Sequence, residues 1–322
     1  MNKKVVVIGG GTGISALLKG IKKYTSNITA IVTMTDDGGG SGILRKDLGM
    51  LPPGDVRNCL IALANTEPVM EKLLQYRFET GNLEGQNFGN LLIAALCEIY
   101  GSFDNALIEL ENVLRITGKV VPVTLDNVHL VAEFKNGDKC IGESTIPKMC
   151  ASLGTSIEKM SLFPHIPSAN EKAVAAILSA DAVLFGPGSL YTSIIPNLIV
   201  KGIVEALKGT RAQKIYISNV MTQRGETDDF TLRMHVEALE KHGYEGMFDI
   251  CMANNYSPRK MLLESYFELD DSSIIEVDKK DIDFLKERSI ELIEGDFLEN
   301  DHHYIRHSGE KIGAVLRKHS IL

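Results

Sequence analysis

Three glycine turns, an aspartate doublet and one later aspartate are the residues in this chain whose types and spacing could do chemistry. Gly11-Thr12-Gly13-Ile14-Ser15-Ala16 follows the apolar run Val5–Ile8 and leads into Leu17, Leu18 and Ile21 at helical spacing. It fits the pattern G-x-G-x-x-G/A after a strand. The N–H groups at such a helix start are unpaired and carry the positive end of the helix dipole, so they suit phosphate oxygens. Glycine lets a ligand approach the backbone closely. Gly10, Gly11, Thr12 and Gly13 are therefore expected to cradle a phosphate. The turn lacks the Gly-Lys-Ser/Thr ending of a P-loop, which disfavours a Walker-type NTPase.

The second strand, Ile28 to Met34, empties into Thr35-Asp36-Asp37-Gly38-Gly39-Gly40-Ser41-Gly42. An NAD enzyme uses one acidic residue here to hold ribose hydroxyls. A doublet followed by three glycines exceeds that need, and NAD is disfavoured. Asp36, Asp37 and Gly38, with Asp55 further on, instead suit sugar hydroxyls or Mg²⁺, with Asp37 and Asp55 as the metal-ligand pair. The glycine run is read as too flexible to be an element by itself. Asp55, after Pro52-Pro53-Gly54, is also placed to cap a helix starting at Val56.

Gly186-Pro187-Gly188-Ser189-Leu190-Tyr191-Thr192-Ser193 repeats the first device after the strand Ala182–Phe185. Gly186, Gly188, Ser189 and Thr192 are expected to hold a second phosphate or a sugar. Amides at strand ends and helix starts can read a base or sugar: Asn87, Asn90 and Asn219, along with Gln223, Thr227, Asn254 and Asn255. Arg306, beside Tyr304, is a candidate phosphate ligand closing over the site from the C-terminal side. His302, His303 and His307 do not have the spacing of a metal helix and read as a solvated tail.

These residues need an α/β frame. The first strand, helix and second strand make a βαβ unit of about thirty residues. The nearly continuous apolar strands predict a mostly parallel, Rossmann-like sheet with helices on both faces. Helices are expected near 67–78, 91–100, 104–114, 171–178 and 230–242. Strands are expected near 214–218, 248–252, 274–277 and 290–293, and a final helix near 308–319. Period-2 alternation from Val120, with Asn136-Gly137 as a hairpin signal, predicts an antiparallel β excursion at about 119–168. The whole, 1–322, reads as one α/β domain.

The 322 residues are 44% apolar and 24% charged, an ordinary globular composition with room for a large core. The net charge of −8 and the lack of a basic run argue against nucleic acid as a partner. No apolar run approaches the ~20 residues needed for membrane insertion. The N-terminus runs straight into the first strand and leaves no room for a signal peptide. Five cysteines with no C-x-x-C pair read as reduced core residues of a cytoplasmic protein.

Five ordered motifs carry a resemblance: Val7-Ile8-Gly9-Gly10-Gly11-Thr12-Gly13, Thr35 to Gly42, Pro53-Gly54-Asp55-Val56-Arg57-Asn58, Asn87-Phe88-Gly89-Asn90, and Gly186 to Ser193. Together they resemble the YvcK-like, gluconeogenesis-factor branch of the CofD-like superfamily across the whole chain. The resemblance implies a Rossmann-like fold with an added smaller region. It implies binding of UDP-sugars, including UDP-N-acetylglucosamine. It implies a role in cell shape and envelope-precursor metabolism during gluconeogenic growth. The related transferase branch moves 2-phospho-L-lactate onto a deazaflavin with Mg²⁺; Gly11, Gly13, Asp37 and Asp55 match its motif positions. This chain has Gly-Pro-Gly-Ser-Leu-Tyr-Thr-Ser where the transferase carries Gly-Pro-Ser-Asn-Pro, which argues against deazaflavin chemistry. The expectation is a nucleotide-sugar-binding regulator, the alternative a Mg²⁺-dependent phosphoryl or nucleotidyl transferase. A homo-oligomer and a regulated metabolic enzyme stay open as partners.

Overall fold

Strands β1 (Val5–Gly9) and β2 (Ile28–Val32) pair in parallel, Val5 opposite Ile28 through Gly9 opposite Val32. All five residues of β1 are buried, so side chains pointing to either face are covered. This computed structural model describes residues 3–258, 263, 271–299 and 305–322. The remaining strands of the main sheet are β3 (Lys119–Pro122), β7 (Ala182–Phe185), β8 (Gln213–Ile217), β9 (Ile250–Asn254) and β10 (Glu291–Gly295). The order is β10-β9-β8-β7-β1-β2-β3, parallel throughout. The chain runs outward from β1 to β3, then returns to β7 on the other side of β1. Such a reversal opens a crevice beyond the C-terminal ends of the two central strands.

A second sheet of three antiparallel strands holds β4 (His129–Phe134), β5 (Lys139–Ile141) and β6 (Ile157–Phe163), in the order β5-β4-β6. The β4–β5 hairpin turns at Asn136-Gly137, with Gly137 at φ 90°. Its inward residues Leu130, Ala132, Phe134 and Met160 join the same continuous core as the main sheet.

The α-helices before residue 160 are α1 (Gly11–Ile21), α2 (Gly39–Leu48), α3 (Gly54–Leu63), α4 (Pro68–Gln75), α5 (Phe88–Tyr100), α6 (Phe103–Leu114) and α7 (Ile146–Leu153), of which α1, α3 and α4 line the crevice. The last helix is Gly309–Lys318. It meets the middle of α1 through two glycines. A Cβ on Gly20 would collide with the Gly309 backbone, and one on Gly309 with the Ala16 carbonyl.

Four elements differ from expectation. Residues 119–122 belong to the parallel sheet; Val120, Val121 and Pro122 are all buried, and true alternation begins only at His129. The glycine run after Asp37 starts helix α2. Its buried Arg45 donates to the Asp36 carbonyl at 3.1 Å, Asn127 Oδ1 at 2.7 Å and the Val128 carbonyl at 2.7 Å, a tertiary tie that overrides poor propensity. The expected strand near 274–277 is reduced to a single bridge between Ile274 and Met221. A helix at Lys279–Glu287, capped by Asp278, follows it unannounced. Among the described residues no single helix is long and apolar enough to cross a membrane. All five cysteines are free, and Cys59, Cys140, Cys150 and Cys251 are buried.

Candidate functional site

A cavity of about 940 Å³ opens where β1 and β7 end. Gly10, Gly11 and Gly13 line it on one side, Gly188 and Ser189 on the other. The two turns are packed backbone against backbone: a Cβ on Gly13 would collide with the Pro187 carbonyl. Buried Asn197 holds both turns, donating from Nδ2 to the Gly9 carbonyl at 3.2 Å and to the Ser193 carbonyl at 2.8 Å. Gly11 takes φ +65°, a left-handed conformation that glycine enters without strain. Thr12 lies in the first turn of α1; its side chain lies outside the described residues.

Asp55 is not a helix cap. α3 begins two residues earlier than expected, at Gly54 with Pro53 at the cap position, so Asp55 falls inside the first turn. Its carboxylate lies against the Gly10–Gly11 backbone, and the Gly11 N–H favours its charged form. Its Oδ2 lies 2.6 Å from where a Gly10 Cβ would stand, so only glycine admits it. Burial, then the neighbouring Asp36 charge, push its pKa up to about 7.

The aspartate doublet divides. Asp36 lines the cavity, and its Oδ1 accepts the Gly38 N–H at 2.9 Å. Gly38 therefore closes a local turn and does not line the cavity. Asp37 turns the other way, accepting the Ser144 N–H at 2.9 Å and tying this loop to the small sheet. Glu143, beside Ser144, reaches the cavity instead. Burial, then the charges of Asp36 and Asp55, push its pKa up to about 8. No motif had marked Glu143.

The third turn does not copy the first. Thr192 is buried, and its Oγ1 donates to Glu226 Oε1 at 3.1 Å. The Tyr191 N–H donates to Glu226 Oε2 at 3.3 Å. The helix start after this turn is thus satisfied by a buried carboxylate of the chain itself, whose pKa burial pushes up to about 7. Gly186, at φ 75°, packs against Ile194 rather than lining the cavity.

Asn219 lines the cavity and accepts the Gly188 N–H at 3.5 Å. Gln223 also lines it, donating from Nε2 to Ser189 Oγ at 2.9 Å. Asn87 is the N-cap of α5, accepting the Asn90 N–H at 3.1 Å, and Asn90 Oδ1 accepts from Arg57 Nη1 at 2.5 Å. Both are buried away from the cavity. Asn254 accepts the Phe297 N–H and donates to the Tyr256 carbonyl, a structural role.

Arg306 and Ile305 line the cavity from the C-terminal side. The Arg306 carbonyl accepts the Glu299 N–H at 2.8 Å. His307 Nε2 donates to the Ser218 carbonyl at 2.9 Å, which fixes its tautomer; burial lowers its pKa to about 4, so the ring is neutral. His302 and His303 lie outside the described residues.

Among the described residues no group of three His, Cys, Asp or Glu side chains could by itself hold a metal ion. Asp36 and Asp55 are nonetheless two crowded carboxylates facing the cavity. Mg²⁺ is commonly held by one or two carboxylates together with substrate phosphates and water, so this pair fits such an ion once a phosphate ligand is present.

The 2-phospho-L-lactate transferase CofD family profile matches residues 5–298. A putative gluconeogenesis factor of Clostridium acetobutylicum is 49% identical, over 97% of this chain and 68% of the relative. The gluconeogenesis factor of Bacillus subtilis is 41% identical, over 97% of this chain and 96% of the relative. The crystal structure of a UPF0052 family member from Bacillus halodurans superimposes with a TM-score of 0.92 at 41% identity, covering 97% of this chain and 99% of that one. By the extent of these matches, and by the glycine turns and aspartates they include, the chain belongs to the gluconeogenesis-factor branch of the CofD family.

Proposed function

We propose that this chain binds a nucleotide sugar of the UDP-sugar class, such as UDP-N-acetylglucosamine, and acts as a regulator. Its role would lie in cell shape and envelope-precursor metabolism under gluconeogenic growth. The observation that carries the reading is the cavity itself. It sits at the point where strand order reverses, with the N-terminus of α1 and the Arg306 side of the C-terminal segment both in its lining. Asn219 and Gln223 add amides that can pair with a base or sugar. The volume of about 940 Å³ is ample for a nucleoside diphosphate with an attached hexose. The relatives' name, gluconeogenesis factor, agrees with the metabolic setting. Unpaired, mostly buried cysteines suit a reducing compartment, the cytoplasm.

Calorimetric titration with UDP-N-acetylglucosamine tests this. Binding is expected, with a rise in thermal midpoint. No heat and no stabilisation at millimolar ligand would remove the reading. Arg306→Ala should weaken the affinity about tenfold or more, the cost of one charge-assisted contact; unchanged affinity would take Arg306 out of the site.

A second reading is a Mg²⁺-dependent phosphoryl or nucleotidyl transferase. It is favoured by the crowding of Asp36 and Asp55 at the cavity wall. Bound there, Mg²⁺ would neutralise phosphate charge. Nucleotide affinity that does not respond to Mg²⁺ would count against it.

A further inference from the structure

Helix α3 presents Asp55, Asn58 and Ile61 to the cavity, three residues apart and so on one helical face. Behind Asn58 runs Arg57. Its Nη2 donates to Asn58 Oδ1 at 2.9 Å and its Nη1 to Asn90 Oδ1 at 2.5 Å. A guanidinium has donors and no acceptor. Asn58 must therefore turn its oxygen toward Arg57, and its Nδ2 is the end left for other partners. The path of Arg57 is built into the fold. A Cβ on Gly89 would stand 2.7 Å from Arg57 Cδ, so that position must be glycine for the side chain to pass. Asn90 is in turn fixed by the α5 cap through Asn87.

We infer that Asn58 is a ligand-reading donor of this cavity, and that Arg57 is the positioning residue that sets its amide orientation. The donor faces an acceptor oxygen on the ligand, one helical turn along α3 from Asp55. In a nucleotide sugar that oxygen belongs to a phosphate, a base carbonyl or the sugar. The inference rests on the nucleotide-sugar reading and assigns a determinant of its specificity. Arg57 meets no carboxylate within ion-pair distance among the described residues, although it is largely buried; its charge is spent on two amide oxygens.

Asn58→Leu removes the donor at similar volume and, unlike Asn58→Asp, adds no negative charge beside Asp36 and Asp55. Affinities of wild type and variant are measured by calorimetry for pyrophosphate, UDP, UDP-glucose and UDP-N-acetylglucosamine. A loss of about tenfold or more is expected. A loss already present with pyrophosphate assigns the donor to a phosphate. One first appearing with UDP assigns it to the nucleoside, and one first appearing with a sugar attached assigns it to the sugar. Equal affinity of variant and wild type for every ligand that wild type binds overturns the inference. Wild-type protein that binds none of the four removes the nucleotide-sugar reading and this inference with it.

The positioning role is tested by Arg57→Lys, alone and in an Asn58→Ala background. A loss in the first that vanishes in the second is expected, because Arg57 acts through Asn58. An equal loss in both backgrounds overturns that role. Thermal unfolding of each variant verifies that it is folded, and Asn58→Ala serves as the donor-deletion variant if Asn58→Leu is not.

Discussion

The first and third glycine turns look alike on paper and touch in space, yet each meets a different kind of carboxylate. At the first, Asp55 lies against the Gly10–Gly11 backbone, where the Gly11 N–H favours its charge, while itself lining the cavity. At the third, Glu226 accepts from Tyr191 and Thr192 while buried behind the cavity wall. The first helix start is held by a group that a ligand can reach and exchange with. The second is held by a group that no ligand reaches. One turn is therefore built to be used, and the other to hold its neighbour in place.

Three experiments separate the two. Glu226→Ala should have the largest effect. It strips two charge-assisted bonds from buried donors, which costs on the order of 3 kcal/mol, read as a lower urea midpoint. If the variant is as stable as wild type, the third turn is not held by Glu226. Asp55→Asn should leave stability nearly unchanged and move affinity instead. Without a negative charge at the cradle, UDP should bind about tenfold more tightly in Mg²⁺-free buffer, by roughly 1.4 kcal/mol, the size of one screened charge at a helix N-terminus. Weaker binding would mean that Asp55 contacts the ligand through a hydroxyl rather than opposing its phosphates.

The smallest effect is in pH. The carboxyls of Asp55, Glu143 and Glu226 have pKa values of about 7, 8 and 7 in the folded chain, against 3.8, 4.5 and 4.5 when unfolded. Above the unfolded values the native state holds protons that the unfolded chain has released. Stability must then fall as pH rises through the folded values. Lowering the pH from 8 to 6.5 should raise the thermal midpoint of the ligand-free protein, and Glu226→Gln should reduce that slope. A midpoint that is flat over this range would contradict the burial of these groups.

Much of the frame was legible because it rests on local rules. Val5–Ile8 and Ile28–Val32 are apolar without interruption, as covered parallel strands must be, and the Asn136-Gly137 turn carries its own conformational demand. The first turn was legible for the same reason. What escaped was set by contacts across the chain. Whether Asp36 or Asp37 faces the cavity depends on Ser144, more than a hundred residues later. Glu143 and Glu226 sit in loops with no period and no motif, and only tertiary packing gives them partners. Helix α2 escaped because its four-residue start, Gly39-Gly40-Ser41-Gly42, has poor propensity that the buried Arg45 outweighs.

The glycine crossing between α1 and the last helix ties two ends of the molecule into one thermodynamic unit. The last helix begins against Ala16 and Gly20, and the three residues before its cap overhang the cavity. α1 thus carries the phosphate cradle at its start and the anchor of the C-terminal segment at its middle. A molecule gripped by both Gly11 and Arg306 would close a loop that runs through that crossing. Occupancy and C-terminal docking then share a single free energy, and each tightens the other by the same factor.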